Sequence, residues 1–220
     1  MAREDLNTTS YVILGLLVSR DWSAYEIAEH FGKGIGELWP RADRQRYNAP
    51  KKLLSLGLVT ATNQAVGARN RTVYSITTEG RDALASWLST ESRPSAFEFE
   101  GMIRVLVAEQ GNIDDLRNNL VIMRDQAAHS RSLFGMNAVL IRETDGGSFP
   151  EREHLMALAN NFMMGHFSHI VEWAEWALDE IADWPDTISP ATSHHQRSRA
   201  ILAESAVFAP TTGKFFTPKQ

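Results

Sequence analysis

Apolar residues recur at helical spacing from the start of the chain. Val12, Ile13, Leu16 and Leu17 fall on one side of a helix that Thr8 or Thr9 can cap. Asp21 and Trp22 interrupt it. Ser23-Ala-Tyr-Glu26 then has the spacing of a capping box, in which the Ser hydroxyl and the Glu carboxylate satisfy each other's backbone N–H groups. It predicts a short second helix with Tyr25, Ile27, Ala28 and Phe31 inward. Gly32 to Gly36 (GKGIG) ends that helix; without a Gly-Lys-Ser/Thr ending or a preceding strand it reads as a turn and not as a phosphate loop. A third, basic helix follows, with Asp43 as its cap. Pro50 removes a hydrogen bond and clashes with the turn before it, so either the helix kinks there or a first turn (43–48) meets a second segment (49–56). Gly57 closes the helix, Leu58 and Val59 begin a strand, residues 63–70 form a tip, and Thr72 to Ile76 alternate as a returning strand. Thr78 caps a helix that runs through Trp87 and Leu88.

Residues 91–95 make a polar break at Pro94, and everything beyond reads as helix. One helix spans about 96–110, with Phe97, Met102, Val105 and Leu106 inward; another spans 114–142 and ends at Thr-Asp-Gly-Gly. A second capping box, Ser148-Phe-Pro-Glu151, opens the longest helix, along which Leu155, Leu158, Phe162, His166, Ile170, Trp173, Ala177 and Ile181 form a stripe. Its length of roughly 50 Å, at ~1.5 Å per residue, exceeds what a compact domain needs and suits an interface between two copies. After Pro185 the signal fades, with prolines at 190, 210 and 218 and one helix near 196–206. The chain thus divides into 1–91, 95–184 and a tail, 185–220. The class is mainly α with a small β-hairpin wing: an N-terminal winged helix-turn-helix domain followed by a C-terminal all-α domain.

Charge separates the two halves. Residues 1–90 carry 11 basic and 9 acidic side chains, whereas 91–220 carry 11 and 18. Between Arg41 and Arg71 lie seven basic residues and one acidic residue, Asp43, in a protein of net charge -5. Positive charge gathered on a helix and a hairpin is the electrostatic footprint of a surface that meets nucleic-acid phosphate. The 220 residues contain no cysteine, which excludes disulfides, thiolate metal sites and a cysteine nucleophile. No apolar run approaches the ~20 residues of a membrane span. The apolar patch from Tyr11 to Val18 follows acidic Glu4 and Asp5 and precedes no small-residue cleavage site, so it reads as a buried helix and the protein as cytoplasmic.

Several segments in fixed order, TSYVILGLL, SAYEI, ELWPRA, Tyr47…Lys51-Lys52-Leu53…Gly57-Leu58-Val59 and Tyr74-Ser-Ile-Thr-Thr-Glu-Gly80, resemble the PadR family of transcriptional regulators over residues 8–90. The helical remainder resembles the longer members of that family, the class of the AphA-type virulence activators. The resemblance implies a homodimer whose C-terminal helices interlock as a dimerisation domain, each subunit presenting its winged helix to one half-site of a double-stranded DNA operator. Pro50 departs from the leucine common at that place in the family.

In this reading Arg44, Gln45 and Arg46 stand at the front of the recognition helix, with Arg41, just before its cap, also among the DNA-binding residues. Arg reads the guanine edge and Gln the adenine edge, each such pair being worth ~1–3 kcal/mol of discrimination. Tyr47, Asn48, Lys51 and Lys52 meet phosphates, and Arg69 and Arg71 on the wing follow the backbone or an adjacent minor groove. Trp173 and Trp176 offer aromatic walls for a flat small-molecule effector. His166-x-x-His169-x-x-Glu172 has the helical spacing of a metal site, but its Met- and aromatic-rich surroundings favour core or interface, so no metal and no cofactor are expected. No nucleophile elbow, zincin motif, Walker loop or dinucleotide fingerprint occurs, so the chain reads as no enzyme. A repressor is expected in preference to an activator. The alternatives are a winged-helix protein–protein adaptor and a ligand-binding protein that does not read DNA.

Overall fold

In the computed structural model, which describes residues 6–31, 36–39, 48–66 and 69–209 (side chains at 65, 66, 69 and 70 excepted), Asn7 caps the first helix in place of Thr8 or Thr9. Its Oδ1 accepts from the Ser10 N–H at 3.0 Å, which leaves Thr9 and Ser10 inside α1 (Thr8–Leu17) and buried. A two-residue strand, β1 (Trp22–Ser23), leads directly into α2 (Ala24–His30). The Ser23–Glu26 capping box forms as its sequence demands, with Glu26 Oε2 accepting from Ser23 N–H at 2.8 Å and the Glu26 N–H reaching Ser23 Oγ at 3.3 Å.

After the short α3 (Gly36–Leu38), helix α4 covers Ala49–Ser55 with Pro50 in its first turn. A proline costs nothing there, because its missing N–H is one that the helix would leave unbonded. A helical segment therefore begins at 49, as the second of the two paths at Pro50 expects, while the first turn expected at 43–48 lies, up to 47, outside the described residues. Gly57, at φ +71, ends α4: its N–H bonds Leu54 O at 3.0 Å and the Leu58 N–H bonds Leu53 O at 3.0 Å. That pair of bonds is a Schellman motif, which requires a left-handed residue at the glycine position. Strands β2 (Val59–Val66) and β3 (Arg69–Ile76) pair antiparallel, and β1 adds to the other side of β3, giving the order β1-β3-β2. The ladder continues through Asn63↔Thr72 and Gln64↔Arg71 to Val66↔Arg69, so much of the expected tip is strand. Polar cross-strand pairs carry it past the core, Thr72 Oγ1 donating to Asn63 Oδ1 at 3.1 Å.

Helix α5 (Thr78–Leu88) is capped by Thr77, not Thr78: Thr77 Oγ1 accepts from the Gly80 N–H at 3.1 Å and donates to Gly57 O at 2.9 Å. The core beneath these elements is Ile13, Leu14, Leu17, Ile27, Phe31, Leu53 and Val59, all almost wholly enclosed. Tyr11 of α1 stacks on Trp87 of α5 with ring centroids 4.7 Å apart.

The chain divides into two compact units, 1–96 and 97–220. In the second, the first predicted helix shortens to α6 (Glu100–Leu106) with a single 3-10 turn at Ala108–Gln110. Met102 and Val105 pack inward, but Phe97 and Leu106, also expected inside, are largely exposed. Asn112 and Asp115 form a capping box (Asp115 N–H to Asn112 Oδ1, 2.9 Å) that opens α7 (Ile113–Glu143). At 31 residues it is longer than α8 (Glu153–Glu180), which has 28. Ser148 makes no capping box. Phe149 is buried instead, a 3-10 turn at Pro150–Arg152 precedes α8, and the turn closes through positive φ at Asp145, Gly146 and Gly147. Burial of an aromatic ring, worth ~1.5–3 kcal/mol, outweighs a surface cap at ~1 kcal/mol.

Helices α7 and α8 pack antiparallel through two clusters, Leu116, Leu120 and Met123 against Ala177 and Ile181, and Ala127 against Met163, Phe167 and Val171. The predicted stripe on α8 is therefore two faces. Ala177 and Ile181 point inward, whereas Leu155 (56 % exposed), Leu158 (71 %) and Phe162 (65 %) face outward. Beyond α8 come α9 (Pro190–Ser193) and α10 (His195–Ala206), the latter tied to α8 by the Arg197–Glu180 ion pair. Among the described residues no helix is long and apolar enough to cross a membrane.

Candidate nucleic-acid interface

The sheet register fixes the side chains of the first unit. Ser23 pairs with Val73 and Trp22 with Tyr74. Because β1 runs antiparallel to β3, continuing past Ser23 into α2 carries the chain alongside Thr72 and then Arg71. The wing arginine thus lies over the start of α2. Arg71 Nη1 stands 3.6 Å from Glu26 Oε1, and its Nη2 is 3.5 Å from Gln64 Oε1 on β2. Glu26 is held as a carboxylate below its ordinary range, first by the Ser23 hydroxyl, then by the Ser23 N–H, with Arg71 adding a further pull.

A cleft of about 540 Å³ opens at this junction, lined by Ser23, Tyr25, Glu26, Lys51, Arg71 and Thr72 among others. Lys51 enters it from the outer face of α4, beside the equally exposed Lys52. Asn48, the first residue before α4, makes no side-chain cap bond and is exposed. Of the candidate DNA-binding residues, Lys51 and Arg71 therefore meet at one cleft, while Lys52 and Asn48 are exposed on or beside α4 and do not line it. Arg41, Arg44, Gln45, Arg46 and Tyr47, together with the expected Asp43 cap and residues 32–35 of the glycine-rich turn, lie outside the described residues, and so does the side chain of Arg69.

At this cleft the sequence misplaces Tyr25. Expected inward, it is 74 % exposed and borders the cleft. The signal was present: Ile27 and Phe31, four apart, define the inner face of this seven-residue helix, and Tyr25, two positions before Ile27, falls on the other side.

In the second unit Trp173 packs against the Leu116–Ile181 cluster, and Trp176 is 40 % exposed, their ring centroids 6.5 Å apart at 48°. Neither lines a second cleft of about 340 Å³ between the far ends of α7 and α8, bounded by Ala138, Ile141, Met156, Ala157, Asn160 and Met164 with Arg142 and Glu153 also lining it. Small side chains at Ala138 and Ala157 leave that seam open. The Asn160 Oδ1 is buried there without a hydrogen-bond partner. His166 packs edge-on against Phe97 and Phe167, at 6.4 and 5.3 Å between centroids. Among the described residues no group of three His, Asp or Glu side chains stands together as metal ligands.

No protein-family model matches the chain. In sequence it is 31% identical over 84 residues to the negative transcriptional regulator PadR of Bacillus subtilis, a match covering 38% of this chain and 46%, or just under half, of that protein. Its fold is similar to that of Bacillus subtilis PadR in complex with operator DNA, at TM-score 0.68 and 21% identity over 80% of this chain and 99% of that one. Bacillus subtilis PadR in complex with p-coumaric acid gives 0.62 at 21% identity, over 81% and 99% of the two chains. The Vibrio cholerae virulence activator AphA gives 0.56 at 22% identity, over 80% and 98%. The architecture, mainly α with a small antiparallel wing, is that of the PadR-like regulators.

Proposed function

We propose that this chain is a homodimeric, PadR-like transcriptional regulator that binds double-stranded DNA and acts as a repressor. The observation that carries the reading is the convergence of Lys51 and Arg71, from different elements, at one exposed cleft of a winged helix-turn-helix. The likeness of the whole fold to a regulator held on operator DNA supports it. Residues 41–47 lead into α4, so Arg41, Arg44, Gln45 and Arg46 are assigned to base edges in the major groove, where bidentate pairs specify sequence. Tyr47, Asn48, Lys51, Lys52, Arg69 and Arg71 are assigned to the phosphate backbone, which positions without specifying. The assignment as repressor rests on the name of the Bacillus subtilis relative.

Dimerisation is assigned to the helical unit. Leu155, Leu158 and Phe162 on α8, with Leu133, Met136 and Leu140 near the end of α7, are exposed apolar side chains, and apolar surface of that kind, where it is contiguous, marks an interaction face. A two-fold dimer requires a near-palindromic operator with half-sites about one helical turn, or a multiple of it, apart. A small-molecule effector is assigned to the helical unit, with Trp173 and Trp176 as aromatic walls. The p-coumaric acid complex of the Bacillus subtilis protein supports ligand control, which works only for a ligand that binds two arrangements of the dimer unequally.

Fluorescence anisotropy of a labelled fragment from upstream of the gene, titrated with protein in excess random competitor, tests the reading. Competitor-resistant binding that weakens steeply with salt is expected. Binding erased equally by any competitor would refute operator reading and direct attention to the adaptor and ligand-binding alternatives.

A further inference from the structure

We propose that the cleft between α2, α4 and β3 seats a single phosphate of the DNA backbone, with Tyr25, Lys51 and Arg71 as its three donors. This rests on the DNA-binding reading and adds to it a residue, Tyr25, and a stoichiometry of two cations to one phosphate. The lining groups sort themselves by what they already bond. Ser23 Oγ donates to Glu26 Oε2 at 2.6 Å and accepts the Glu26 N–H, and Thr72 Oγ1 donates to Asn63 at 3.1 Å, so both hydroxyls are engaged. Tyr74 is buried. Tyr25, Lys51 and Arg71 remain with donors to offer.

Arg71 is steered into the cleft without being consumed there. Its contacts to Glu26 and Gln64, at 3.6 and 3.5 Å, are longer than strong hydrogen bonds, which close to ~2.7–2.9 Å when charged. The guanidinium has five N–H donors, so several stay available for an oxyanion. Among the described residues of the lining Glu26 is the one carboxylate, and Lys51 and Arg71 together outweigh it. The cleft is thus cationic and carries a neutral phenol donor at its edge. A phosphodiester, one charge with two free oxygens, fits that set. Three donors from three elements would also fix the winged helix on the duplex more firmly than lysines on α4 alone.

The test uses a labelled 30-bp duplex of mixed sequence with the full chain, since phosphate contacts act on any sequence. Affinity is measured across a salt series. Each neutralised phosphate contributes about 0.9 to the logarithmic salt slope. If Lys51 and Arg71 share one phosphate, Lys51→Gln and Arg71→Gln each flatten the slope by less than that, and the double variant flattens it by about 0.9 per protomer. Flattening by about 0.9 in each single variant and twice that in the double would mean separate phosphates and overturn the proposal, as would unchanged slopes. Tyr25→Phe should lower affinity by roughly 2- to 10-fold at every salt with its slope unchanged, the worth of one neutral donor. Its thermal melt should match wild type because the ring is exposed. An unaltered affinity for Tyr25→Phe removes the phenol from the site. Displacement of the duplex by sodium triphosphate at constant ionic strength would assign the cleft to a free polyphosphate instead. Failure of the wild-type chain to bind any duplex would sink the DNA reading itself, a result distinct from binding that ignores these three side chains.

Discussion

Gly80→Ala tests the junction between the wing and α5. A Cβ on Gly80 would stand 2.2 Å from the Leu58 carbonyl oxygen and 2.9 Å from Ile76 Cγ1. The first of these is backbone and cannot rotate away. Leu58 O also accepts the Thr77 N–H at 3.1 Å, and the Gly80 N–H donates to Thr77 Oγ1 at 3.1 Å. Pushing α5 from the base of β2 therefore strains the bond that anchors the helix and the cap that starts it. Overpacking costs ~1–3 kcal/mol and loss of one such hydrogen bond ~1 kcal/mol, so the variant should be less stable by about 2–4 kcal/mol. At ~4–8 °C per kcal/mol for a domain of this size, thermal unfolding of the first unit, followed by near-UV circular dichroism of its tryptophans, should shift down by roughly 8–32 °C. Gly15→Ala is the control: it lies inside α1, and a Cβ added there would meet nothing within 4 Å. It should be neutral or stabilising, by up to ~1 kcal/mol. A Gly80→Ala melt within ~0.5 kcal/mol of wild type, the ordinary range for surface changes, would refute the steric argument.

The Ser23–Glu26 cap predicts a pH dependence with a defined sign. Glu26 has a folded pKa below its ordinary 4.5, so its contribution is full above that value and is lost as pH falls through the lowered one. Glu26→Gln should therefore unfold at lower urea than wild type at pH 7, and the gap should close in acid; a gap that widens in acid contradicts it. Leu158→Lys with Phe162→Glu should yield a folded monomer in light scattering, because both side chains are already exposed within one protomer. Persistence of the dimer would place the interface elsewhere. Asn160→Leu should raise the melting temperature, since it removes the unpartnered Oδ1 between α7 and α8 and with it a desolvation cost of ~1–3 kcal/mol; a lower melt would mean that the amide is satisfied in solution.

What the sequence made legible was mostly what is local. The Ser23–Glu26 box could be read because both partners and both bonds lie within four residues, and Gly57 because only a left-handed residue ends α4 in that way. Pro50 marked a break in the basic segment, and its tolerance at a first turn accounts for a helix that begins at Ala49. Errors arose where burial competes with local signals. Ser148 lost its cap to Phe149, and the α8 stripe merged residues facing α7 with residues facing away, because a 3.6-residue period cannot tell which of two apolar faces meets which partner. The place of Tyr25 escaped because Arg71 is brought beside it by a strand pairing between residues about 50 positions apart in sequence, and Lys51 by the packing of a separate helix.

The outward face of Leu155, Leu158 and Phe162 has a consequence for dosage. A chain that must cover such a face with a second copy has a stability tied to its own concentration. Below the dimer dissociation constant, the number of assembled dimers rises with the square of the number of chains made. Under the proposed operator-binding function, occupancy would then respond to expression as a threshold and not in proportion. Halving synthesis would deplete such a dimer about fourfold in that range, so under the dimeric-repressor reading proposed above the target would switch over a narrow window of protein level.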